Sequence, residues 1–374
     1  MTHLILVLVA VFCIRLFKFK QGVTGPGYRP IFGNMPEIRR LFEEAISKPS
    51  PLHDSDHDVL PLVAPFYHKW SNMYGKPFLY WSGSQPRLAI SDPELIKEVT
   101  MDTGGGSFDK TGFDKGKILF GQGLIALFGQ QWAFPRRILN HPFRRERVQA
   151  CWLHDIVAET WMNFEMEVFK QLHDLSVDII SRTTFGTFFD LNIPGLRYNR
   201  EMWRLDKETN ESIWALIRTN NETREESSSF LSLLMEERLG EKEIIGEFKT
   251  FYFAGKETVA NALSWALLLL DLNPEWQDKA REEMIRVLGS NKIPVAKNLK
   301  DLKIINETFW LYPPIVMLIR KAYKNVELGN INIPPGTELY LALVAVHHDT
   351  YIWRNDSRKN LASFIPYDFV WDRL

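Results

Sequence analysis

The sequence predicts a mainly helical protein with small β-sheets at its edge. Three observations carry that reading. Long stretches, among them 156–172, 230–239 and 276–288, repeat apolar residues at spacings of three and four with charges between them. Only two short regions show strand-like character, one an alternation around a turn and the other an apolar run late in the chain. The 374 residues are 45% hydrophobic and 13% aromatic with 24% charged, which suffices for one large core or two ordinary ones. A formal charge of -1 gives no global attraction for nucleic acid. Two cysteines, Cys13 and Cys151, exclude a disulfide framework or a four-thiolate zinc site and read as a reduced, cytosol-facing chain.

From the N-terminus, eleven apolar residues run from Leu4 to Ile14, followed by Arg15, Lys18 and Lys20. With Leu16, Phe17 and Phe19 included, residues 1–20 read as a short membrane anchor whose basic flank keeps the rest of the chain in the cytosol, at the endoplasmic reticulum. Eleven is short of the roughly 20 residues of a full span, so an amphipathic or buried helix is the competing reading. Neither the basic start nor the cleavage site of a signal peptide is visible. In 21–36, Gly25-Pro26-Gly27, Pro30 and Gly33 exclude regular structure and make a stiff hinge to a domain over 37–374. "KPFLYWSGSQPRLAIS" alternates on either side of a Gly-Ser turn and predicts a β-hairpin. Late in the chain, "VELGNINIPPGTELYLALVAV" predicts a second strand region.

The stretch "FYFAGKETVANALSWALLLL", 251–270, is apolar but for a polar centre. On a helix Ala254, Thr258, Asn261 and Trp265 share one face, with Glu257 beside Thr258. Gly255 costs about 1 kcal/mol in a helix interior relative to alanine, which suits a local kink or a close approach. A buried helix with hydrogen-bonded polar residues accounts for the stretch equally well on its own.

"AGKET" resembles the oxygen-activating motif of the cytochrome P450 family of haem-thiolate monooxygenases. Further motifs follow in that family's order: the Pro-Gly hinge, Trp132 and Arg136 in "WAFPR", Glu307 in "ETFWLYPP", and the strand pair "IPPGTELYLALVAVHHDTYIW". The wording is most similar to the plant clan that oxidises hormones and fatty-acid-like molecules. The resemblance implies haem, dioxygen and electrons from NADPH through a reductase, with a hydrophobic small molecule as substrate. It also implies that Ala254 and Gly255 open the helix for dioxygen, while Glu257 and Thr258 deliver protons in a dry pocket. Arg136, helped by Trp132, and Arg320 in "VMLIRKA" would pair with haem propionates, which the guanidinium fork suits.

Against that pattern, Trp310 stands where the family pairs Glu307 with an arginine. Stranding a buried carboxylate in this way costs roughly 3–5 kcal/mol unless it protonates or finds another donor. "WRNDSRKNLASFIPY" skips the segment between the strand pair and the haem loop. In "SFIPYDFVWDRL", Asp368 and Val370 replace glycines, Asp372 replaces an arginine and Leu374 falls at the cysteine position. The expectation is a P450 fold incomplete at its C-terminus, without the haem-cysteine loop and the helix after it, and with no metal ligand assigned.

"HDSDHD" and "HHD", at 347–349, read as solvated or structural rather than as metal sites. Gly104-Gly105-Gly106 lacks the lysine and the flanking elements of a phosphate loop. The arginines of "RRILNHPFRRER" form a basic patch, a solvated face or, by resemblance, a docking surface for an acidic reductase. Two readings stand at this point: a membrane-anchored monooxygenase, or a non-catalytic remnant of its family.

Overall fold

The structure, a computed structural model, describes residues 22–48, 59–102, 106–111, 121, 123–127, 129–139, 170, 172–173, 199–223, 239–289, 302–304 and 311–349. They fall into two units, one formed by residues up to Thr111 together with those from Ile315, the other by Gly112–Pro314.

The first unit holds helices α1 (Met35–Ile46), α2 (Leu60–Val63), α3 (Pro65–Tyr74) and α4 (Pro93–Met101). Each has proline at its first or second position, where the ring removes no needed donor. At α4 the Asp92 carboxylate also accepts the Leu95 N–H at 3.0 Å, capping the first turn. The predicted hairpin is present as β1 (Phe78–Ser82) and β2 (Gln85–Ile90), with Gly83 at φ +61 in the turn.

Three further strands join it. β3 (Phe108–Lys110), β4 (Leu318–Ala322) and the late strand β7 (Glu338–Leu341) complete a sheet of order β1-β2-β7-β4-β3, in which only β2 and β7 are parallel. β5 (Val326–Leu328) and β6 (Ile331–Ile333) form a separate hairpin. β3 and β4 carry no alternation long enough to read from the sequence. The end of the predicted late strand region is corrected: Leu343–His347 is a short helix. The strand stops at Leu341, and Leu343 to Val346 are all buried, a continuous burial that apolar sequence alone does not assign to helix or strand.

Two clusters fill this unit. Leu88, Ile90, Ile96, Val99, Phe108 and Leu339 lie between α4 and the sheet. Beyond the other strands, Phe66, Tyr67, Trp70, Phe78, Tyr80 and Tyr340 pack ring on ring, with centroids 5.3–6.4 Å apart. The Arg87 guanidinium donates to the Glu338 carboxylate across the parallel pair at 2.9 Å and 2.5 Å.

The second unit contains α5 (Gln130–Leu139), α6 (Asn199–Thr223), α7 (Glu241–Leu272) and α8 (Pro274–Leu288). α7 is the predicted central helix, extended to 32 residues. Glu241 and Glu243 sit at the positive end of its dipole, and the Glu243 carboxylate accepts the Gly240 N–H at 2.8 Å. α8 contains the predicted 276–288 helix and stops at Gly289, φ +73. The other two predicted helices, 156–172 and 230–239, lie essentially outside the described residues, as does the 1–20 segment. Among the described residues no helix is long and apolar enough to cross a membrane.

Candidate active site

The four residues singled out for oxygen chemistry stand together in the middle of α7. Gly255 is buried, while Ala254 and Thr258 are half-buried. The Thr258 hydroxyl donates to the Ala254 carbonyl at 2.7 Å, so its proton is committed to the helix backbone one turn back. Such back-bonding loosens a helix locally.

Glu257 is less secluded than a dry proton path suggests, with its side chain 43% exposed. Its Oε2 lies 3.6 Å from Nε2 of His173, a helical residue whose side chain is 15% exposed. Sequence reasoning missed His173, because a contact across 84 positions leaves no local pattern. Farther along the same helix Trp265 stacks on Tyr312, centroids 4.4 Å apart and planes 14° apart, so the predicted stripe is in part a packing face.

On α5, Arg136 is buried at 8% exposure, and its guanidinium carbon stands 5.9 Å from the centre of the Trp132 ring. The two residues lie four apart and share a face, as the spacing predicts. α5 begins just after a segment locked to α7. Glu247, 1% exposed, accepts the Leu124 N–H at 3.0 Å. A Cβ on Gly123 would lie 2.0 Å from the Gly246 carbonyl oxygen and 2.4 Å from the Thr250 hydroxyl. Glycine is required there by contact. Gly123→Ala is expected to cost about 3 kcal/mol, the upper part of the usual range for overpacking. Urea unfolding should show a lower midpoint at unchanged slope, and an unchanged midpoint would mean that the segment moves aside freely.

Arg320, on β4 of the first unit, is 6% exposed. One of its terminal nitrogens donates to the Ile319 carbonyl at 3.0 Å, and Nε is buried with no hydrogen-bond partner. Burial pushes its pKa down, with the Asp109 carboxylate opposing that shift. Asp109 escaped sequence reasoning because β3 pairs with β4 from more than 200 positions away. A buried guanidinium with an open donor has the chemistry of a carboxylate-binding group.

The remaining predictions are partly placed. Glu307, Trp310, Leu374, Cys13, Cys151 and the "HDSDHD" run lie outside the described residues. His347 and His348 follow β7, and Asp349 accepts an ion pair from Lys76 at 3.1 Å. Among the described residues no cluster of histidine, cysteine or carboxylates is arranged to hold a metal.

Within the first unit the buried Arg320 guanidinium, with its open donor, has the chemistry to hold a haem carboxylate, and within the second the buried Arg136 beside Trp132 has the same chemistry. No cysteine is among the described residues.

Comparison with known proteins brings these fragments under one heading. The family model for cytochrome P450 matches residues 62–217 and 188–358. Cytochrome P450 734A1 of Arabidopsis thaliana is 36% identical over 400 residues, covering 90% of this chain and 74% of that protein. Cytokinin hydroxylase of the same plant is 33% identical over 406 residues, with 92% and 78% covered. Cytochrome P450 734A6 of Oryza sativa subsp. japonica is 33% identical over 419 residues, with 94% and 76% covered. Nine-tenths of 374 residues is about 337, so about 63 of the 400 positions aligned with 734A1 face no residue of this chain. On this evidence the chain belongs to the cytochrome P450 family, with plant monooxygenases as its relatives.

Proposed function

We propose that the chain carries the proton-delivery and propionate-pairing parts of a P450 monooxygenase acting on a hydrophobic small molecule, and that turnover in these 374 residues is impaired. The observation that carries the first half is the Ala254-Gly255-Lys256-Glu257-Thr258 turn at the centre of a 32-residue helix, with the Thr258 hydroxyl bound to the Ala254 carbonyl. Haem, when bound, supplies the redox chemistry, with electrons from NADPH through a reductase partner. The chain's own work is narrower. Thr258 holds its proton on the Ala254 carbonyl and leaves Oγ1 as an acceptor in the middle of α7, and Glu257 places a carboxyl group beside it. Arg136 and Arg320 offer guanidinium donors to carboxylates, and Trp132 braces Arg136. The substrate class rests on the family and on the apolar Phe253, 42% exposed beside Ala254 on α7.

Impairment is supported by Trp310 at the arginine position and by the unmatched positions within the aligned span. Residues 1–20 serve as the anchor of a domain facing the cytosol, residues 21–36 as its hinge and 37–374 as the P450-like domain.

The test is the absorbance spectrum of the 374-residue protein expressed with haem available, reduced and exposed to carbon monoxide. The expected result is little bound haem, or a Soret band typical of non-thiolate ligation. A band at the long wavelength typical of thiolate would mean that Cys13 or Cys151 reaches the iron, and the impairment would be refuted. In a chain with that band, Thr258→Ala is expected to lower product formed per NADPH consumed by about 100-fold, the lower end of what a proton-transfer group contributes.

A further inference from the structure

Glu257, the acid of α7, is held by one group. Among the described residues its carboxylate has a single polar contact, Oε2 with Nε2 of His173 at 3.6 Å. The two partners are unequal. The imidazole is the fixed member, its side chain 15% exposed against 43% for the carboxylate. A glutamate that open to water samples several rotamers, so it stands in one place only if something orders it.

At 3.6 Å the ring nitrogen lies beyond the reach of a hydrogen bond, so the attraction is between charges and depends on a protonated imidazole. Histidine is the side chain whose charge ordinarily changes between about pH 5 and 8. The neighbouring charges do not replace it. Lys170, one helical turn before His173, is exposed, and Lys256 is turned about 100° from Glu257 around α7. Asn261, one turn beyond Glu257, carries no charge.

We propose that His173 is a positioning residue for the α7 acid: the imidazolium fixes the Glu257 carboxylate in place, and the neutral imidazole lets it turn toward water. This deepens the proposed function and rests on it only for the role of Glu257 in proton delivery. The acid is then ordered at mildly acidic pH and freed as the pH rises, a control that lies wholly in the protein's own side chains.

The test is carboxyl footprinting of the full 374-residue chain. The protein reacts briefly with a water-soluble carbodiimide and glycine ethyl ester at pH 5.5 and at pH 7.5, and mass spectrometry reads the labelling of Glu257. Labelling is taken relative to Glu94, 67% exposed, which cancels the reagent's own pH dependence. In the unaltered chain the ratio is expected to rise about 2- to 5-fold from the lower pH to the higher, the fold-change of a half-exposed ion pair. In His173→Gln it should be high at both. A ratio that does not change with pH in the unaltered chain overturns the proposal, and that arm needs no variant to fold. A rise of the same size in His173→Gln also overturns it, because another group then holds the carboxylate. Glu247, 1% exposed, is the control for folding and should stay unlabelled throughout. Haem is not needed for the measurement, so the two readings fail separately: a thiolate band refutes the impairment alone, and a flat ratio refutes this inference alone.

Discussion

Asp206→Asn is expected to destabilise the second unit by about 3 kcal/mol, more than removal of its partner. Lys249 on α7 places Nζ 2.5 Å from Asp206 Oδ1 on α6, with the lysine side chain 5% exposed and the aspartate 19%. The asymmetry decides which change hurts. Asparagine keeps the shape but strands an ammonium almost wholly out of water, and breaking a buried pair from one side costs roughly 3–5 kcal/mol. Lys249→Met instead leaves a carboxylate that retains some solvent and the Asn210 amide, which donates to Asp206 Oδ2 at 3.1 Å. Its cost should be nearer to 1–2 kcal/mol, the range for a buried group losing one partner. The double change to Asp206→Leu with Lys249→Met should recover most of the loss, since apolar replacements for a buried pair are often neutral. Chemical denaturation of these proteins together with Asp206→Leu alone closes the cycle and measures the coupling; additive effects of Asp206→Leu and Lys249→Met would show that the pair does not interact.

Alkaline pH is expected to unfold the first unit well before its arginines titrate. Burial pushes Tyr67 and Tyr80 from 10.0 up to about 12, with the Ser91 hydrogen bond opposing at Tyr67 and Arg87 opposing at Tyr80. Tyr340 is pushed up as well, by burial and then by its neighbours Tyr80 and Tyr67. In the unfolded chain these phenols ionise near 10.0; in the folded one Tyr67 and Tyr80 hold their protons until about 12, and Tyr340 is pushed up in the same direction. Between those values the unfolded state binds fewer protons, so stability falls as pH rises, by about 1.4 kcal/mol per pH unit for each tyrosine. Below pH 10 the contribution is fully present. Three such groups remove about 4 kcal/mol per unit and about 8 kcal/mol in all by pH 12, so a unit at the lower end of ordinary stability, about 5–8 kcal/mol, is exhausted within two units of the onset. Tyrosinate absorbance and circular dichroism should therefore change together. Ionisation near pH 10 with the fold intact would refute the burial argument. Tyr340→Phe should cut the slope by about a third.

Much of the candidate site was legible because its signals are local. The helix over 251–270 and the shared face of Ala254 and Thr258 follow from helical periodicity, while Trp132 and Arg136 came from the resemblance of "WAFPR" to the family's motif. The hairpin followed from alternation around Gly83. What escaped was set by distant pairing. Asp109 stands near Arg320 only because β3 lies along β4, and His173 meets Glu257 through packing. The helix at Leu343–His347 escaped for a different reason, since a run buried on every side has no period to read. Glu247 and Lys249 left a visible trace, two charges inside an apolar stretch, but which atoms satisfy them is a tertiary matter.

The sequence by itself carried the resemblance to the family and the order of its motifs, because proline and glycine placement and the Ala-Gly-x-Glu-Thr run are local signals. Only the tertiary structure decided that Arg320 is buried with a free Nε and that Gly123 must stay without a side chain. Burial and hydrogen-bond partnership depend on which distant segments come within a few ångströms, and no local pattern encodes that distance.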